Sequence, residues 1–329
     1  MEQKRILVTG GAGYIGSVLV RLLLRKGYAV TVVDNLSFGG EPILDLLNDP
    51  NFTFFKEDIR NTANISKILG LQKVYAVAHL AAIVGDPACA KDPALTKSIN
   101  WEGSKGLYEA ANAAGVEKFI FASTCSNYGK MKDSSSFVDE NSELAPVSLY
   151  AETKVQFEQY LFSQPKTNTA KPTSLRFSTV YGLSLRPRFD LTVNEFTKDL
   201  AMGKELVIFG EQFWRPYCHV EDLALSVIKV IESKPELVSF DVFNVGDTSE
   251  NYQKQMIVEE IKKFIPGAKV SYVQRNEDPR DYRVTFEKIK KQLGFSVTKR
   301  VPDGIAQIKF AIDNGFLQNP DDGKYKNVQ

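Results

Sequence analysis

Histidine and cysteine are scarce in this chain, with two histidines and three cysteines in 329 residues. No Cys-x-x-Cys pair occurs, so the donor spacing of a zinc site is missing and no metal is expected. Cys89, Cys125 and Cys218 are odd in number and far apart, which argues against a disulfide framework and suits the reducing cytoplasm. An excess of charge of one sign is also missing. Lys and Arg total 41, Asp and Glu total 40, and the formal net charge is +1. Composition therefore gives no support to a nucleic-acid partner. No apolar run approaches the roughly 20 residues of a membrane span, so no membrane partner is expected. The strand pattern begins almost at once, at Arg5-Ile6-Leu7-Val8, and leaves no room for a secretory leader. Repeats and low-complexity stretches are absent.

What is present is an ordinary globular composition, 43% hydrophobic and 25% charged, in a chain long enough for two fused lobes. Short apolar runs at 5–8, 29–33, 52–55, 76–79, 118–123 and 173–177 alternate with helix-length segments such as 15–26 and 100–114. Strands apolar on both faces, alternating with helices, predict an α/β fold with a doubly wound parallel sheet of the Rossmann type. After about Gly182 the rhythm breaks. Residues 183–189 read as a loop, 193–202 and 220–232 as helices, and 205–209 as a short strand. The tail from residue 251 mixes helix (254–264), strand (269–272) and more helix. The expected division is a first domain over 1–182, to which 216–250 return, and a smaller interleaved α/β lobe from 183–215 and 251–329. The polar end beyond Asn319 is expected to fray.

The first strand runs into Gly10-Gly11-Ala12-Gly13-Tyr14-Ile15-Gly16, and a helical pattern follows. Gly10 permits a tight turn, Gly13 lets the backbone approach a pyrophosphate, and Gly16 lets the helix pack on the sheet. The helix N-terminus, at Tyr14 and Ile15, offers free N–H groups and a partial positive charge to phosphates. The second strand ends at Asp34, 18 residues past Gly16. A carboxylate there accepts from both ribose hydroxyls of NAD and repels the 2′-phosphate of NADP. Asn35-Leu36-Ser37 brings no arginine for that phosphate. NAD is the expected cofactor. Asp58 and Ile59, after the third strand, are placed near the adenine, and Leu80, Ala81 and Ala82 end the fourth strand against the cofactor.

Two further patterns carry chemistry: Ser123-Thr124-Cys125-Ser126-Asn127-Tyr128-Gly129 after the fifth strand, and Tyr150-Ala151-Glu152-Thr153-Lys154 opening a helix. Residues four apart share a helical face, about 6 Å apart along the axis. An ammonium near the phenol favours phenolate and makes the tyrosine a usable base. The glycine turn, the acid after strand two, the Thr-x-x-x-Tyr-Gly element and the Tyr-x-x-x-Lys pair follow one another in an order that resembles the extended short-chain dehydrogenase/reductase family. That family contains NAD-dependent sugar epimerases and dehydratases. The resemblance continues through Asn100, Arg176, Tyr181-Gly182 and Arg215-Pro216-Tyr217-Cys218-His219-Val220-Glu221-Asp222. It implies Tyr150 as general base and acid, Lys154 on the nicotinamide ribose, and Thr124 on the reacting sugar oxygen. It also implies Asn100 on the cofactor side, with Arg215, either Arg275 or Arg280, and more weakly Asn194 on the diphosphate of a nucleotide sugar. Helices over 103–114 and 150–162 often join two subunits in the family, so a homodimer is expected.

Departures from the family narrow the chemistry. Dehydratases carry Asp-Glu directly after the catalytic threonine, where this chain has Cys125 and Ser126, so water elimination is not expected. Cys125 has no histidine partner nearby and is expected only to line the site. UDP-galactose epimerases often have lysine at the position of Val84 and carry asparagine at that of Thr179, and these two residues, with Ser126, are expected on the substrate side of the site. Residues 82–87, 188–194 and 277–283 resemble a bacterial subgroup of surface-polysaccharide pathways, some members of which are similar to C4 dehydrogenases of GDP-linked heptose. Epimerase, dehydrogenase and 4-keto reductase use the same atoms and stay open. A silent NAD-sensing module on the same fold is the non-enzymatic alternative.

Overall fold

In a computed structural model, which describes residues 3–131, 136–273 and 280–328, the apolar runs of the first half become strands. They are β1 (Arg5–Thr9), β2 (Ala29–Asp34), β3 (Phe52–Lys56), β4 (Ala76–His79), β5 (Lys118–Thr124) and β6 (Lys171–Phe177). Between them lie α1 (Gly16–Arg25), α2 (Thr62–Gln72), α3 (Asp86–Lys91), α4 (Pro93–Lys97), α5 (Ser104–Ala113) and α6 (Leu149–Ser163). There follow β7 (Thr179–Tyr181), α7 (Thr192–Ala201), β8 (Leu206–Phe209), β9 (Trp214–His219), α8 (Val220–Glu232) and β10 (Asp241–Val245). The remaining elements are β11 (Asn251–Gln253), α9 (Lys254–Phe264), β12 (Val270–Val273), α10 (Glu287–Leu293) and α11 (Val301–Asp313).

Seven strands form one parallel sheet in the order β10-β6-β5-β4-β1-β2-β3. The doubly wound fold expected from the sequence is the fold observed. The alternation of side chains along β1 shows how the layers are built. Ile6 and Val8 join Leu19 and Leu23 of α1 and Leu223 and Val227 of α8 in one apolar cluster. Leu7, between them, points the other way and joins Ile65 of α2, Leu107 of α5 and Phe157 of α6. Each such fully buried side chain stabilises the fold by roughly 1.5–3 kcal/mol.

A third cluster, with Tyr181, Val193, Ile208, Tyr217, Ile257 and Ile305, holds a smaller assembly together. Its strands form a three-stranded sheet, β11-β9-β7, and a two-stranded one, β12-β8. Residues 216–250, expected to return to the first domain, divide. Those of β9 pair with β7 and β11, while β10 pairs with β6 at the edge of the large sheet. No helix among the described residues is long and apolar enough to cross a membrane.

The C-terminal tail departs from expectation. Instead of fraying beyond Asn319, it lies along the loop before α7. Phe189 N–H donates to Tyr325 O at 2.8 Å, and the two rings meet edge to face. Lys198 Nζ pairs with Asp321 Oδ1 at 2.7 Å. A polar composition suggests a solvated end, but here the polar groups find partners distant in sequence.

Candidate active site

β1 hands over to α1 through a turn with almost no space in it. Gly10 has φ +75°, and its N–H donates to Val33 O at 2.9 Å. A Cβ at Gly10 would stand 2.9 Å from Ala81 N, and one at Gly16 would stand 2.0 Å from Gly10 O. The first turn of α1 thus sits directly on the strand end, with N–H groups free of intrahelical partners. At the end of β2, the Asp34 carboxylate accepts from Ala12 N–H at 3.0 Å and Leu36 N–H at 2.8 Å. Burial pushes this carboxyl up, and the two backbone donors oppose the rise.

These groups open onto a cavity of about 720 Å³ at the carboxyl ends of the large sheet. Its wall includes Gly10, Gly13, Tyr14, Ile15 and Gly16, with Asp34 and Asn35. It also includes Asp58, Ile59, Leu80, Ala81, Ala82 and Val84. The position matches the switch point where strand order reverses, between β1 and β4. The cramped glycine turn, the helix N-terminus and the pinned carboxylate fit a dinucleotide, and so does the size.

Thr124, Tyr150 and Lys154 line the same cavity. Ser148 caps α6, accepting from Ala151 N–H at 3.3 Å and donating to Asp86 Oδ1 at 2.7 Å. This cap fixes Tyr150 in the first turn of α6 and Lys154 one turn later. Lys154 Nζ donates to Ala122 O at 2.8 Å and lies 5.9 Å from the centre of the Tyr150 ring. Burial pulls the lysine down to about 8. Burial likewise pushes the Tyr150 phenol well above its ordinary value, while Arg188 and a hydrogen bond with Thr124 pull the other way. An ammonium favours a neighbouring phenolate, but against this burial more positive charge would be needed beside the pair before the phenolate forms.

A family model, that of the NAD dependent epimerase/dehydratase family, matches residues 6–246. The chain belongs to this family. It is 32% identical over 309 residues to the UDP-glucose 4-epimerase of Lactobacillus helveticus, covering 88% of this chain and 91% of the relative. Among solved structures, the UDP-glucose 4-epimerase of Thermotoga maritima with UDP-glucose superposes with a TM-score of 0.84. Identity there is 30%, over 95% of this chain and all of the other. The Thermus thermophilus UDP-glucose 4-epimerase complex with NAD gives a TM-score of 0.81 at 27% identity, over 94% of this chain and 99% of the other. As a member of the epimerase/dehydratase family, the protein is an enzyme, and its cofactor is NAD.

Several residues that the family resemblance singled out stand elsewhere. Cys125 does not line the cavity. It is 1% exposed in the core, its Sγ donating to Arg176 O at 3.2 Å, because side chains alternate at the end of β5 and Thr124 takes the cavity side. Ser126 also turns away, its Oγ meeting the Tyr282 hydroxyl at 3.4 Å. Asn194, expected near the diphosphate, is buried beneath the loop before α7 and is not on the cavity wall. Its amide accepts from Gly182 N–H at 2.8 Å and donates to Gly182 O, Arg188 O and the Tyr14 hydroxyl, which uses its polar atoms to fold the loop. Asn100, on a π-helical turn (Ser98–Gly103), stands behind the cavity wall and bonds both the N–H and the carbonyl of Ile83, which lines it. Thr179 on β7 does not reach the cavity wall, though its neighbour Val180 does. Arg215 donates to Trp214 O at 2.6 Å and lies over Tyr282, away from the cavity wall. Arg280 pairs with Asp86 Oδ2 at 2.9 Å, close to the α6 cap. Arg275 lies outside the described residues.

The cavity wall also holds residues the sequence reading missed, among them Phe38, Arg186, Arg188 and Asn327. The two arginines had a faint signal, a basic pair in the loop after β7. Asn327 had none.

Proposed function

We propose that the protein interconverts the two C4 epimers of a nucleotide-linked sugar, with Tyr150 carrying the proton. The observation that carries this reading is the placing of Tyr150, Lys154 and Thr124 in one cavity with the glycine turn and Asp34. NAD held by the turn and by Asp34 supplies a hydride acceptor, and a donor for the return step. Tyr150 accepts the C4 hydroxyl proton as the keto group forms and gives it back on reduction. Lys154 sets the charge near the phenol, and Thr124 hydrogen-bonds the reacting oxygen. Cys125 and Ser126 stand where dehydratases of the family carry two acids, which speaks against loss of water. The three cysteines are unpaired, in keeping with a cytoplasmic enzyme. A homodimer through α5 and α6 is part of the proposal.

The test supplies UDP-, GDP-, dTDP- and CDP-sugars in parallel to the purified protein with NAD. One of them should be converted to its C4 epimer, detected by NMR of the sugar, without net NADH. Accumulating NADH with a released keto sugar would make the enzyme a dehydrogenase instead. Conversion of none of the sugars, with bound NAD unchanged, would leave the binding module as the better reading.

A further inference from the structure

Two buried guanidinium groups reach the dinucleotide cavity from the loop before α7; the charge of Arg188 also favours the Tyr150 phenolate, whereas Arg186 has no part in the proton-transfer site. Arg186 is 5% exposed and Arg188 7%. Arg188 is neutralised locally, its Nε and Nη2 donating to the two oxygens of Asp190 at 3.0 and 2.8 Å. Arg186 forms no ion pair among the described residues. Its guanidinium lies 3.9 Å from the centre of the Phe38 ring, and its buried Nε has no hydrogen-bond partner. Burial, and then the like charge of Arg188, pull Arg186 down to about 10. A buried cation so placed calls for an anion.

The anion must come from the cavity. Arg186 and Arg188 share its wall with Gly13, Tyr14 and Gly16, and Arg188 lies 5.9 Å from the centre of the Tyr14 ring. Asp34 repels anions at the ribose end, so the negative charge belongs beside the N-terminus of α1. A pyrophosphate has that charge, and its oxygens match guanidinium forks.

The C-terminal tail supports this arrangement. Asn327 Oδ1 accepts from Arg186 Nη1 at 2.6 Å, and Lys326 O accepts from Nη2 at 3.2 Å. Asn327 N–H donates to the Asp190 carboxylate that holds Arg188, at 3.0 Å. Asn327 Nδ2 donates to Val84 O at 3.2 Å, and both residues line the cavity. One residue near the end of the chain thus ties both arginines to the segment following β4.

We propose that Arg186 and Arg188 grip the pyrophosphate of the cofactor together with the glycine turn, and that the C-terminal tail is the brace that holds Arg186 in place. The proposal rests on NAD occupying this cavity, not on the identity of the sugar. The test is titration of NAD, ADP-ribose and adenosine into the full chain and into Arg186→Gln, Arg188→Gln, Asn327→Ala and a chain ending at Gln318. Both arginine variants should bind NAD and ADP-ribose at least about tenfold more weakly, with adenosine within about twofold of the full chain. Arg186→Lys should recover part of the loss. Asn327→Ala and the shortened chain should behave like Arg186→Gln. Melting curves without ligand separate misfolding from lost contact. Wild-type affinities in Arg186→Gln, or equal losses for adenosine and ADP-ribose, would overturn the grip. Wild-type affinity in the shortened chain would overturn the brace. Failure to epimerise any sugar, with these titrations as expected, would sink only the proposed reaction.

Discussion

Lys154 keeps its ammonium in a closed setting, 4% exposed, between Ala122 O and the Phe121 ring. Its ordinary value of 10.5 falls to about 8 in the fold. Between those values the unfolded chain binds more protons than the folded one, so stability rises as pH rises through that window. Below pH 8 the folded enzyme carries the full cost, roughly 3 kcal/mol as an upper bound. Lys154→Met should therefore raise the melting temperature of the cofactor-free protein at pH 7, lose that advantage by about pH 10.5, and still cripple turnover. Unchanged melting at pH 7 would show that the ammonium is better solvated than its surroundings suggest. Tyr150→Phe should slow single-turnover NAD reduction by about 100-fold or more while leaving NAD affinity close to wild type. That these two residues line one cavity was legible in the sequence, because a helix places positions four apart on one face. Cys125 misled because it adjoins Thr124, although alternation along a strand sends neighbours to opposite sides. The roles of Asn194 and Asn327 depend on partners distant in the chain, which no local pattern encodes.

The turn between β1 and α1 shows what an element demands of single atoms. A Cβ at Gly16 would meet the backbone oxygen of Gly10 at 2.0 Å, whereas one at Gly13 would lie 3.1 Å from the same oxygen. Gly16→Ala should thus push α1 off the strand end, lowering the melting temperature by several degrees and abolishing NAD binding. Gly13→Ala should melt near wild type and lose only NAD affinity, because its methyl group would take space at the cavity wall. Equal melting losses in the two variants would contradict this assignment. The regular βαβ units were readable because each carries its own apolar period, and α8 and α9 begin and end where the sequence placed them. The short strands β7 and β11 were not. Each has three residues, too few for a period, and exists because β9 lies between them. The π-helical turn at Ser98–Gly103 was equally hidden, since an extra residue in a helical turn leaves apolar spacing nearly unchanged.

At the scale of the molecule, α2, α5 and α6 cover one face of the large sheet and α1 and α8 the other. Tyr160 on α6 donates to Glu109 on α5 at 2.9 Å, so these two helices present a joined outer surface. If that surface pairs with its copy, light scattering should report twice the 36.8 kDa chain mass at micromolar concentration. Replacing Tyr160 with Glu, which places two carboxylates side by side, should shift the population towards monomer. A monomeric wild-type protein would refute the pairing. The order of strands has a consequence for synthesis. β6 is laid down early, but its outer neighbour β10 is made only when residues 241–245 have left the ribosome. Until then the nascent sheet ends in a seven-residue strand with an open row of amide and carbonyl groups. The growing chain is therefore most exposed to pairing with a neighbouring copy while the segment between β6 and β10 is being translated, and a stalled ribosome in that interval would release an aggregation-prone fragment rather than a small working domain.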